Sequence, residues 1–230
     1  MNLKDRIKAL VELSKVLNKD NEELTANVLQ SKLYNQWFTE ENSWKSIEAI
    51  KTQFLDESIL NDWTSKYQIK DRSDIKKVGL VLAGNIPLVG WHDIMCCFVV
   101  GHKTLIKLSD KDKFLTPFFI KQLEAIDSRT SQYFEIIERL KDFDAVIATG
   151  SNNTSKYFEH YFGKYPHIIR ANRNAIAVLT GKETDEEIKN LGADIFEYFG
   201  LGCRNVSMCL VPQDLNWERY LNIWHEGYKQ

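Results

Sequence analysis

The hydrophobic period of this chain changes near Lys76, and that change limits the possible folds more than any other feature. Upstream, apolar residues recur at helical spacing between charges: Leu3, Ile7, Leu10 and Leu17, then Leu24, Val28 and Leu29. Thr39-Glu-Glu follows Trp37 and Phe38 as a helix start with acid in its first turn, and Ile47, Ile50 and Phe54 carry the apolar face. Downstream, short apolar runs alternate with helical stretches. Strands are expected at 78–83, 104–108, 145–148, 168–170, 175–179 and 206–211. Helices are expected at 87–100 with Pro87 in the first turn, at 113–126, 133–140, 151–162 and 185–199, and finally at 217–228. Alternation on this scale implies βαβ units and a mostly parallel sheet. The helical residues 3–70 are expected to pack on the domain that follows.

Composition narrows the class. The 230 residues can bury a full core. Charge is nearly balanced, 30 Lys+Arg against 32 Asp+Glu, which gives no electrostatic case for nucleic acid as a partner. Four cysteines, Cys96, Cys97, Cys203 and Cys209, form no C-x-x-C pair and have no His cluster beside them, so no metal site is expected. Few cysteines in a charged chain suit a reducing cytosol. The acidic and basic start, Met1-Asn-Leu-Lys-Asp-Arg, is unlike a signal peptide. The most apolar stretch, 78–108, is broken by Asn85, Pro87, His92, Asp93, His102 and Lys103, so no membrane span is expected. A soluble cytoplasmic protein is the expectation.

Chemistry concentrates at strand ends. The first strand runs into Ala83-Gly-Asn-Ile-Pro-Leu-Val-Gly90, at the sheet edge where open α/β folds bind ligands. Asn85 could present its amide there, although Gly-Asn turn chemistry alone explains it. Lys107 ends its strand, as a solvated lysine or as a ribose or phosphate contact. Ala148-Thr-Gly-Ser151 opens a helix: capping explains Ser151, and Gly150 with the helix N-terminus also suits a phosphate. Cys203 lies between Gly202 and Arg204 at a helix-to-strand junction. Small neighbours admit a substrate and an adjacent cation favours thiolate, whereas an isolated cysteine otherwise serves as a small core residue. Cys96, Cys97 and Cys209 lie in apolar runs that favour burial. His92 could serve in protonation, but it is expected as a core or capping histidine.

The ordered set Leu82-Ala-Gly-Asn-Ile-Pro-Leu-Val-Gly-Trp-His-Asp93, Ala148-Thr-Gly-Ser-Asn152 and Phe199-Gly-Leu-Gly-Cys-Arg-Asn-Val-Ser207 resembles the aldehyde dehydrogenase superfamily. Within it, the chain resembles the bioluminescence-type (lux) long-chain fatty acyl-CoA reductases. The resemblance implies an α/β, aldehyde-dehydrogenase-like fold: a helical N-terminal arm at 1–74, a Rossmann-like dinucleotide-binding domain at 75–170, and from 171 to 230 the start of a truncated catalytic domain. It implies Cys203 as nucleophile and Asn85 as a side-chain donor of the oxyanion hole. Lys107 is implied at the adenosine ribose, and Gly150 and Ser151 near the cofactor pyrophosphate. Ordinary aldehyde dehydrogenases carry a water-activating Glu in Glu-Leu-Gly-Gly-Lys, and the matching Ile169-Arg-Ala-Asn-Arg173 has no carboxylate. That departure argues against oxidation to acid.

The implied activity is NADPH-dependent reduction of a fatty acyl-CoA, or another acyl thioester, to a fatty aldehyde through a cysteinyl acyl-enzyme. The alternatives are an acyl-phosphate reductase of the same superfamily and a non-catalytic nucleotide-binding or assembly subunit. NADP(H) is the expected cofactor, although Asp110 lies near the ribose-reading position and no Arg marks a 2′-phosphate. Further copies of the chain are expected as partners, in a homo-oligomer.

Overall fold

The computed structural model describes residues 1–71 and 74–228. The chain forms two compact units, Met1–Ala171 and the residues from Asn172 onward. In the first, four helices precede the sheet: α1 (Leu3–Val16), α2 (Glu22–Tyr34), α3 (Glu40–Phe54) and α4 (Glu57–Ser65). Each start is capped by the side chain of the residue before it. Asn2, Asn21, Thr39 and Asp56 each accept from a backbone N–H in the first turn, and Asn2 forms a reciprocal capping box with Asp5.

The remainder of this unit winds β1 (Lys77–Val81), α5 (Trp91–Val100), β2 (Lys103–Lys107), α6 (Leu115–Ile126), β3 (Phe134–Ile136), β4 (Ala145–Thr149), α7 (Asn152–Phe162) and β5 (His167–Arg170). The five strands are parallel, in the order β3-β2-β1-β4-β5. The chain moves outward from β1 to one side and then returns to its other side, which makes a topological switch point between β1 and β4. The preceding helices share one core with the sheet. Leu10, Leu13, Leu24 and Ile47 cluster with Leu80, Ile94, Phe98 and Phe119, all nearly inaccessible to solvent.

Several expected boundaries move. The helix expected at 87–100 starts only at Trp91, because Leu88 takes a left-handed backbone (φ 58°) that no α-helix accepts. The helix expected at 113–126 starts at Leu115. In place of the helix expected at 133–140 there is a 3-10 turn, Ser128–Tyr133, followed by β3. Phe134 is buried and pairs with Thr104 of β2, so sheet pairing overrides the local helical pattern.

The second unit holds β6 (Ala175–Val178), α8 (Asp185–Phe196), β7 (Val206–Leu210) and α9 (Trp217–Gly227). β6 and β7 pair in parallel. Its core is Leu179, Ile188, Tyr220 and Trp224, with the Trp224 indole N–H donating to the Ile188 carbonyl at 2.7 Å. The expected helix 185–199 ends at Phe196. Tyr198, Phe199 and Gly200 then take left-handed backbones in succession (φ 51°, 58° and 69°), which breaks the helix. On the sheet, Ile176 and Val178 lie opposite Met208 and Leu210, and all four are exposed.

Arg6 is the main polar tie between the N-terminal helices and the sheet. It is 2% exposed, and its guanidinium donates to the carbonyl of Val99 at 3.2 Å, near the end of α5, and to that of Met1 at 2.6 Å. A cation there also meets the negative end of the helix dipole. Asp71 is its partner at 3.4 Å. Arg6→Met leaves the Val99 carbonyl without its side-chain donor and the Met1 carbonyl with only the Tyr133 hydroxyl at 3.4 Å, and we expect it to lower stability by about 2 kcal/mol in urea unfolding. A loss below about 0.5 kcal/mol would show that the tie is not structural.

Candidate active site

The parallel register places the carboxyl ends of β1, β2 and β4 side by side. Val81 pairs with Lys107 on one flank and with Ala148 on the other. Asn85 lies in the turn that leaves β1 and is half-buried. Lys107 is exposed at the end of β2. Gly150 follows β4, its N–H donating to the Arg170 carbonyl at 3.0 Å. Ser151 caps α7: its Oγ accepts from the Thr154 N–H at 3.2 Å, and the side chain is exposed beside the helix N-terminus. Four of the five residues singled out in the sequence thus belong to one edge of one sheet. A strand end, a lysine and a helix N-terminus there suit an anionic nucleotide.

An ion pair at this edge escaped the sequence reading. Arg170, at the end of β5, donates two hydrogen bonds to Asp93 in the first turn of α5, at 2.6 and 3.0 Å. The two are 77 positions apart, and no periodicity links them. Asp93 is 8% exposed. Burial opposes its ionisation, but His92, with Nδ1 3.9 Å from the carboxylate, and the hydrogen-bonded Arg170 guanidinium prevail and hold the carboxyl below its ordinary range. His92 is exposed rather than a core or capping residue. Asp93 first, then Cys96, raise its pKa to about 10.

Cys203 belongs to the second unit, where the local geometry exposes it. Gly202-Cys-Arg-Asn205 is a β-turn closed by the Asn205 N–H on the Gly202 carbonyl at 3.0 Å. Cys203 and Arg204 occupy its two corners, and both are exposed. The Asn205 side chain clasps the turn. Its Oδ1 accepts from the Gly202 N–H at 2.8 Å, while its Nδ2 donates to the carbonyls of Asp194 at 2.9 Å and Glu197 at 3.1 Å. A Cβ at position 202 would stand 2.5 Å from Asn205 Oδ1, so only glycine permits the clasp. Asn three residues after Gly is a turn signal that the sequence reading did not use.

The other thiols differ. Cys97 is buried, and burial pushes its pKa up to about 12. Burial also raises Cys209. Cys96 departs from the expected burial: it is partly exposed, with its Sγ 3.7 Å from His92 Nε2, because it lies one turn after His92 on the outer side of α5. Among the described residues, no group of three His, Cys, Asp or Glu could hold a metal ion, and no helix is long and apolar enough to cross a membrane.

The doubly wound sheet, followed by a unit with its cysteine turn between α8 and β7, has the architecture of aldehyde dehydrogenases. An NAD-dependent benzaldehyde dehydrogenase from Corynebacterium glutamicum matches with a TM-score of 0.75 at 13% identity, over 100% of this chain and 55% of that one. A glyceraldehyde-3-phosphate dehydrogenase from Methanocaldococcus jannaschii, solved with NADP, matches at 0.73 and 15% identity, over 98% and 54%. An aldehyde dehydrogenase from Pseudomonas syringae, solved with NAD+ and octanal, matches at 0.68 and 11% identity, over 99% and 50%. The chain therefore spans about half the length of these structures. The family profile of acyl-CoA reductase (LuxC) matches residues 2–216, and the chain belongs to that family. Among curated protein sequences nothing matches it.

Two predictions follow from the local geometry. Arg170→Gln leaves Asp93 buried without its main partner and should cost about 3 kcal/mol at pH 7. The depressed folded-state pKa of Asp93 means that its stabilisation is present at neutral pH and is lost as pH falls through the carboxylate range. Thermal melts of wild type and variant should therefore converge toward pH 3, and a gap independent of pH would refute the assignment. Dilute iodoacetamide should alkylate Cys203 first, Cys96 more slowly and Cys97 only after unfolding, as read by peptide mass spectrometry. Asn205→Ala should alter the Cys203 rate alone.

Proposed function

We propose that this chain carries the nucleotide edge and the nucleophile of an NADPH-dependent reductase that converts a fatty acyl-CoA, or a related acyl thioester, to a fatty aldehyde. The observation that carries the reading is an exposed Cys203 at the corner of a clasped turn, in a chain of the acyl-CoA reductase family. Cys203 as thiolate attacks the thioester carbonyl. The tetrahedral oxyanion accepts a hydrogen bond from Asn85 and then collapses, expelling the coenzyme A thiolate and leaving an acyl-cysteine. Donors preorganised for that oxyanion contribute about 3 kcal/mol each to lowering the barrier.

Lys107, Gly150 and Ser151 would hold the dinucleotide. The fit rests on the exposed lysine at the β2 end and on the capped, solvent-facing start of α7. When bound, the nicotinamide supplies a hydride. With that hydride the acyl-cysteine would become a thiohemiacetal, whose collapse would release aldehyde and return Cys203 to the thiol with one proton from solvent. Hydrolysis to acid needs a general base to activate water, the role a free carboxylate would serve. The 169–173 stretch has none, and Asp93 beside it is occupied by both nitrogens of Arg170.

Incubation with a long-chain acyl-CoA should add one acyl group to Cys203. Subsequent NADPH should release aldehyde with little free acid, as seen by gas chromatography. Cys203→Ala should abolish acylation and leave NADPH binding unchanged. Acid as the dominant product, or undiminished acylation of the variant, would overturn the reading.

A further inference from the structure

The turn carrying Asn85 contains a strained residue whose conformation is held from another loop. Leu88 is 3% exposed and has φ 58°, a left-handed backbone that costs a side-chain-bearing residue about 1–2 kcal/mol. Its N–H donates to Asp112 Oδ2 at 2.9 Å. Asp112 lies between β2 and α6, 24 positions away, and is 5% exposed. Its other oxygen, Oδ1, has no hydrogen-bond partner. A carboxyl buried this deeply is costly, and burial raises its pKa to about 6, against the pull of the backbone amides of Leu88, Leu115 and Thr116.

We infer that Asp112 is a positioning residue: through the Leu88 N–H it locks the strained turn 85–90 and so fixes where Asn85 presents its amide. Pro87 lies between the two and restricts the intervening backbone, so a change at Leu88 is transmitted rather than absorbed. Asp112 touches no reacting atom. The inference rests on the proposed role of Asn85 as oxyanion donor.

Two chemistries at Cys203 separate positioning from folding. Acylation by acyl-CoA passes through an oxyanion, and alkylation by iodoacetamide does not. Asp112→Ala should slow acylation about 10- to 100-fold, the scale of a small misplacement of a catalytic group. Its alkylation rate should stay within twofold of wild type. Asp112→Asn keeps an oxygen for the Leu88 N–H and should restore acylation to within threefold. Asp112→Ser, polar but too short for that contact, should behave as Ala does, and it serves if Ala does not fold. Hydrogen exchange supplies a readout independent of activity: in Asp112→Ala and Asp112→Ser, protection should fall at 85–90. Loss of protection confined to 113–118, or acylation and alkylation falling in parallel, would overturn the inference and leave Asp112 as a helix cap. A wild-type chain that alkylates but never acylates would sink the proposed function instead, and exchange at 85–90 would still decide whether Asp112 holds the turn.

Discussion

The position of β1 between β2 and β4 is the constraint on which the rest of the first unit depends. Pairing on both flanks fixes the register of β1, and that register fixes which residues share the carboxyl edge. A slip of one residue would turn Leu80 out of the core and carry Lys107 and the 82–90 turn away from each other. The N-terminal helices reinforce this arrangement, because Leu10, Leu13 and Ile47 belong to the same core as Leu80 and Phe98. Arg6 then fastens α1 to the end of α5, the helix that links β1 to β2.

The two charged devices at this edge act in different ways. Asp93 and Arg170 make two direct hydrogen bonds to each other, which fixes their geometry. Asp112 has one satisfied oxygen and one that is not, and it acts through a backbone amide. The first ties the start of α5 to β5. The second holds the turn just before α5. Together they leave the segment from Asn85 to Asp93 little freedom, although Gly84 and Gly90 flank most of it.

Much of this was legible in the sequence because it is local. Helix starts at Thr39 and Ser151, the run that becomes β1 and the Thr-Gly-Ser turn all follow from neighbours a few residues apart. The edge residues Asn85, Lys107, Gly150 and Ser151 were found through strand ends, which periodicity marks well. Pairings between distant residues were not legible. Arg170 with Asp93 and Asp112 with Leu88 depend on which loops the sheet order brings together. β3 was lost for a related reason: Phe134 to Ile136 are too few to establish an alternating pattern, and their strand state comes from β2 alone. Leu88 carries no local signal of a left-handed backbone, since leucine ordinarily avoids it.

The succession Tyr198, Phe199, Gly200 has a consequence for how this sequence can change. Two large aromatic residues hold backbones that glycine or asparagine would adopt at lower cost, directly before the turn that bears the thiol. A more stable version of the segment is therefore one substitution away, reached without touching the core. Selection for stability alone would be expected to take that step. Variants recovered in a screen for heat resistance should therefore accumulate there, and the alkylation rate of Cys203 reports what each does to the turn that follows.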